Sequence, residues 1–147
     1  MSLPELDNDL LYEKKGKIAY MTFNRPSEMN SITPKMMEDI DLIGEDFKND
    51  NELLVLILTG AGDKAFSAGA DLKKTITKYK EDADKGARFR SDPTKRFFSG
   101  VFKPIISAVN GFCLSGGKGD HTIEILPRLV EMVLIIEPEP PHQILSD

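Results

Sequence analysis

Two apolar runs of strand length, residues 53–58 and 105–109, each give way to a loop of small residues and then to a helix start. The first is uninterrupted, and such a run suits a strand covered on both faces, as in sheets whose parallel strands are joined by helical crossovers. The first segment reads Leu58-Thr59-Gly60-Ala61-Gly62-Asp63-Lys64-Ala65-Phe66-Ser67-Ala68-Gly69-Ala70-Asp71-Leu72. The second reads Lys103-Pro104-Ile105-Ile106-Ser107-Ala108-Val109-Asn110-Gly111-Phe112-Cys113-Leu114-Ser115-Gly116-Gly117. A strand–loop–helix unit that occurs twice places the chain in the α/β class.

The flanking sequence fits that class. Gly16 precedes the β-forming stretch 17–23, and Asn24-Arg25-Pro26 ends it. With a strand near Leu10–Glu13 this predicts a hairpin, with Lys14-Lys15 read as a surface turn. Thr33-Pro34 is a helix start, threonine as N-cap and proline in the first turn. Met36, Ile40, Ile43 and Phe47 then mark one face of an amphipathic helix ending near Asn49. A charged helix is expected from Asp71 to Glu81, a loop or helix break over 82–87, and a second helix from Lys95 to Phe102, ended by Pro104. The predicted order is β-β-α-β-α-α-β, preceded by a loose polar arm over residues 1–10.

Composition narrows the function. With 147 residues, 40% hydrophobic and 29% charged, the chain is long enough for one domain with a core. A net charge of -5 argues against a general nucleic-acid binder. The apolar runs, residues 53–58 and 132–136 among them, are too short to span a bilayer. The N-terminus lacks the pattern of a signal peptide, and Cys113 is the lone cysteine, so no intrachain disulfide is expected and a cytoplasmic setting fits. The two histidines, His121 and His142, lie late in the chain, and no metal-ligand spacing or Ser-His-Asp arrangement emerges. Cys113 reads as a small core residue and Met36 and Met37 as packing. Lys85, Arg88, Arg90, Lys95, Arg96 and Lys103 read first as a solvated basic face.

Two glycine-bearing loops can aim two backbone N–H groups at one point, an oxyanion hole for a carbonyl that gains negative charge. Gly69 can take a positive φ at low cost. Asp71 stands where a carboxylate suits a helix N-terminus, and Ser115-Gly116-Gly117 offers the second loop. Together with Asn24-Arg25-Pro26-Ser27-Glu28-Met29-Asn30-Ser31, the two loops resemble the enoyl-CoA hydratase/isomerase (crotonase) family over residues 10–117. The resemblance implies the N-terminal part of a crotonase-like ββα spiral. It also implies an acyl-CoA thioester as substrate, with coenzyme A as part of it and no other cofactor or metal. Ala70 and Gly116 would be the oxyanion donors. Ala68, Ala70, Asp71, Leu72 and Lys73 would line the thioester and pantetheine arm, and the backbone near Glu28–Met29 would lie against CoA. The family assembles as trimers or dimers of trimers.

The pattern breaks after Gly117, which divides the chain into a crotonase-like region, 1–117, and a divergent tail, 118–147. Hydratases of the family carry a glutamate three residues after the Gly116 position, where this chain has Gly119. A second glutamate, in a Pro-Glu pair, corresponds by spacing to Glu139, a candidate acid/base. The tail is acidic and proline-rich, and residues 123–126 and 129–136 fit strands or one helix. A divergent member, a frameshifted or truncated product and a discontinuous stretch all fit this break. The functional expectation is enoyl-CoA hydration or isomerisation through enolate stabilisation. The alternative is a non-catalytic acyl-CoA-binding or interaction fragment lacking the catalytic glutamates.

Overall fold

The structure, a computed structural model, describes residues 5–85, 98, 100–113 and 132–135. A five-stranded sheet carries the fold, in the order β1-β2-β3-β5-β7. Strands β1 (Leu10–Lys15) and β2 (Ile18–Phe23) form the expected antiparallel hairpin, Leu10 opposite Phe23 and Lys15 opposite Ile18. Helix α1 (Pro34–Asn49) then crosses to β3 (Val55–Gly60), parallel to β2. Helix α2 (Leu72–Asp84) precedes β5 (Ile105–Val109), parallel to β3. β7 (Met132–Ile135) adds a further parallel strand beside β5. Two short strands, β4 (Ala65–Ser67) and β6 (Phe112–Cys113), pair in parallel as a separate two-stranded sheet.

The core lies between α1 and one face of the sheet. Ala19, Met21 and Phe23 alternate inward from β2, as Leu56 and Leu58 do from β3. They meet the α1 stripe Met36, Ile40, Ile43 and Phe47, all buried. Thr33 caps α1, its hydroxyl accepting from Met36 N at 3.1 Å. At the other end Lys103 Nζ donates to the Phe47 and Asp50 carbonyls, at 2.8 and 2.6 Å, with its charge over the Phe47 ring.

Several expectations change. The apolar run 53–58 predicted cover on both faces, but β3 alternates buried with half-buried residues and begins at Val55. α2 continues through Asp84 instead of breaking at 82, helped by the Lys78–Asp82 pair one turn apart. Where it is described, the end of the helix expected over 95–102 is turn and coil: Phe98 and Gly100 have φ of 58° and 77°, outside helical space, and 95–97 and 99 lie outside the described residues. Phe98 instead packs its ring over Gly44 of α1. Nor is Lys14 a free surface residue, since it pairs with Asp46 of α1 and with Asp50, the residue just past its end, at 2.7 and 2.9 Å. The N-terminal arm is tied down from residue 6 onward: Leu6 packs on the core, and Asp7 N donates to the buried Asp39 carboxylate. In the tail, residues 132–135 resolve the strand-or-helix alternative as strand.

Candidate active site

The site is built where three loops meet, those that follow β2, β4 and β5. The first loop, residues 24–32, follows β2. Its Asn30 is fully buried with φ 55°, and the side chain serves as a hub. Asn30 Nδ2 donates to the Ala61 and Ala65 carbonyls at 2.9 and 2.7 Å, and Oδ1 accepts from Arg25 N at 2.9 Å. Asparagine is among the few residues that tolerate this left-handed conformation. The amide therefore fixes the first loop against the run-up to the second.

The second loop, residues 67–71, is laced to the first. Ala68 N donates to Met29 O at 2.9 Å, and Ser67 Oγ donates to Asn30 O at 2.9 Å. Gly69, at φ 85°, turns the chain so that Ile32 N meets Gly69 O and Asp71 N meets Ile32 O, both at 2.8 Å. These two bonds make a parallel bridge centred on Ile32 and Ala70. In such a bridge Ile32 uses the groups flanking Ala70, so the Ala70 N–H itself is turned to the opposite edge. Among the described residues no acceptor meets it. Ala68 and Ala70 are half-exposed.

Asp71 is the N-cap of α2. One oxygen accepts from Lys74 N at 3.1 Å and the other meets Arg25 Nη1 at 3.1 Å. The Lys74 N–H and then the Arg25 guanidinium hold its carboxyl below the usual aspartate range, against the opposing effect of burial. The carboxylate is thus engaged within the protein, while the Leu72 and Lys73 side chains beside it are exposed.

The third loop follows β5. Asn110 Nδ2 donates to Gly60 O and Gly62 O at 2.7 and 2.8 Å, and its Oδ1 accepts from Gly60 N at 3.1 Å. Gly60 has no room for a side chain: a Cβ there would lie 2.5 Å from the Ala65 and Phe66 carbonyl oxygens. From this clamp the chain enters β6, where Phe112 N donates to Lys64 O at 3.0 Å and Cys113 registers with Ser67. Burial pushes the Cys113 thiol pKa up, the reverse of an activated nucleophile. Among the described residues there is no cluster of three or more His, Cys, Asp or Glu that could hold a metal ion.

Of the residues singled out from the sequence, Ala68, Ala70, Asp71, Leu72 and Lys73 fall together on the second loop and the start of α2. Gly116, Gly119 and Glu139 lie outside the described residues. The sequence reading gave no role to Arg25, Asn30, Asn110 or the β4–β6 pairing. The asparagines carried a faint signal, each standing in a loop just past a strand. Lys103 turns out to cap α1 rather than to sit on a solvated basic face.

Residues 13–122 match the family described as Enoyl-CoA hydratase/isomerase. The chain belongs to that family. It is 41% identical over 113 residues to the short-chain-enoyl-CoA hydratase of Clostridium acetobutylicum, covering 75% of this chain and 42% of that protein. Among solved structures, an enoyl-CoA hydratase from Mycobacterium tuberculosis H37Rv superimposes with a TM-score of 0.67 at 26% identity, covering 88% of this chain and 46% of the other. A carnitinyl-CoA dehydratase from Mycobacterium avium 104 gives 0.62 at 30% identity, covering 86% and 46%. The fold is crotonase-like, as the two loops implied. The chain spans less than half the length of these relatives.

Proposed function

We propose that this enoyl-CoA hydratase/isomerase family chain binds an acyl-CoA thioester and stabilises its enolate with the backbone N–H groups of Ala70 and Gly116. The observation that carries this is the parallel pairing of β4 with β6. Ser67 and Cys113 register with each other, and Ala70 and Gly116 each follow a member of that pair by three residues. The neighbouring Lys64 and Ala65 carbonyls point to β6 and to Asn30 respectively, so the first loop and β6 occupy opposite edges of β4. The Ala70 N–H is turned away from Ile32, and so away from the first loop.

Charge grows on the thioester oxygen as the α-carbon is deprotonated or its neighbour attacked. A fixed N–H stabilises that charge without reorganising, by about 3 kcal/mol per donor. The half-exposed Ala68 and Ala70, with no bulky side chain, leave room for the thioester, and Leu72 and Lys73 extend the surface toward a pantetheine arm. Hydration or double-bond isomerisation is the reaction class, with Glu139 the candidate acid/base. The same reading takes the protein as cytoplasmic and, by family analogy, as a homotrimer or dimer of trimers. Among the described residues no helix is long and apolar enough to cross a membrane.

A second reading is favoured by Gly119, which stands where the first family glutamate is expected: a fragment that binds acyl-CoA without turning it over. Calorimetric titration with acetoacetyl-CoA tests the shared part of both readings. Saturable binding weakened by Gly116→Pro, which deletes one N–H, supports the two-loop site. Binding unaltered by that change would overturn it. Turnover of crotonyl-CoA then separates enzyme from binder.

A further inference from the structure

We infer that Arg25 is a positioning residue for the Ala70 donor, its guanidinium stapling together the two segments whose bridge aims that N–H. The inference rests on the oxyanion role proposed above for Ala70.

The bridge has two strands, and Arg25 holds both. Its Nη1 donates to Ser31 O at 2.8 Å and Ser31 Oγ at 2.9 Å, next to Ile32 on one strand. The same nitrogen meets Asp71 Oδ2 at 3.1 Å, next to Ala70 on the other. Nε pairs with Asp9 at 3.2 Å, which brings in the N-terminal arm. The side chain is 6% exposed, so water cannot readily take its place.

Arg25 is itself held before it reaches these partners. Its backbone N–H is bound by Asn30 Oδ1, and its carbonyl accepts from Asn30 N at 2.8 Å. Two carboxylates and a carbonyl around one planar group require a fork of donors, which lysine lacks. The bridge bonds Ile32 N to Gly69 O and Asp71 N to Ile32 O lie between the stapled ends. Loosening Arg25 therefore lets the Ala70 peptide rotate while α1 and the sheet stay packed. A donor aimed at a developing charge is sensitive to this, because a misplacement of ~1 Å can cost on the order of 100-fold.

The test uses the whole ¹⁵N-labelled chain and two readouts. The first is the shift of the Ala70 amide and the hydrogen-exchange rates of the Ile32 and Asp71 amides that form the bridge, with the Ile43 amide of α1 as the fold control. The second is calorimetric affinity for acetoacetyl-CoA against CoA without an acyl group. Arg25→Met should move the Ala70 amide shift, speed exchange at Ile32 and Asp71, and weaken acetoacetyl-CoA about tenfold or more, with CoA and Ile43 changed less than about twofold. Asp9→Asn, which loosens only the arm, should leave the Ala70 signal in place. If Arg25→Met does not fold, Arg25→Lys keeps the charge but not the fork, and it should show the same change at Ala70. An Ala70 amide unaltered in whichever of these variants folds would overturn the inference, as would equal losses for acetoacetyl-CoA and CoA. A wild-type chain that binds no acetoacetyl-CoA would sink the proposed function instead, and the Ala70 amide would still decide the role of Arg25.

Discussion

The two helices begin alike and are held differently. Each starts from a side-chain cap that accepts a backbone N–H at 3.1 Å, Thr33 for α1 and Asp71 for α2. Beyond the cap they diverge. α1 buries Met36, Ile40, Ile43 and Phe47 against the sheet. α2 buries only Thr75, while Leu72 and Ile76 are 63% and 52% exposed. Packing therefore holds α1, and polar ties at the first turn hold α2. A helix tied by its first turn keeps the preceding peptide in place, and that peptide belongs to Ala70.

The largest expected effect tests this contrast directly. Phe47→Ala removes a fully buried ring and should cost about 3–5 kcal/mol of stability in urea unfolding. Ile76→Ala, on the exposed face of α2, should stay within about 0.5 kcal/mol. A comparable loss at both positions would mean that α2 is also held by packing, and the contrast would fail.

Next comes the C-terminal end of α1. Lys103→Met removes two charge-assisted bonds to the Phe47 and Asp50 carbonyls and should cost about 2 kcal/mol. Amide exchange should rise in the last turn of α1 and leave α2 alone. Uniform acceleration over the whole chain would show that Lys103 supports more than this helix end.

This device also shows what the sequence could reveal. α1 was legible because its cap, its proline and its apolar stripe all lie within one local window. The two loops were legible for a similar reason, since small residues after a strand advertise a turn. Lys103 contacts residues 47 and 50, and Arg25 contacts residues 9, 31 and 71, so no local pattern announces either. β4 looked like loop because a three-residue strand is made by its partner rather than by its own propensity. The phenylalanines near residue 98 suggested a helix face, but at Phe98 the apolar character serves a contact with α1 at a backbone conformation no helix contains.

Asp71 offers a pH test of the polar tie. Its folded carboxyl titrates below the ordinary aspartate value of 3.8. The stability it adds is therefore fully present above that value and is lost as pH falls through the lower folded value. Asp71→Ala should cost about 1 kcal/mol at neutral pH, through loss of the cap. The gap between variant and wild type should close as both are taken down in acid, followed by circular dichroism. A gap that persists unchanged below the folded value would assign the loss to packing instead of to the charged cap.

The smallest expected effect runs the other way. Thr75 and Thr77 lie on the same helix, and the Thr77 hydroxyl donates to Lys73 O at 3.0 Å, one turn back. The Thr75 hydroxyl is buried and meets no partner among the described residues. A buried hydroxyl that has given up water without a new bond is a cost to the folded state. Thr75→Val keeps the branched shape and similar helix propensity while removing that polar atom. It should therefore stabilise the protein by up to about 1 kcal/mol, seen as a higher urea midpoint at unchanged slope. A loss of more than about 0.5 kcal/mol would show that the hydroxyl is satisfied in solution. The inner face of α2 would then hold a polar contact at Thr75 as well, and the contrast with the apolar inner face of α1 would have to be redrawn.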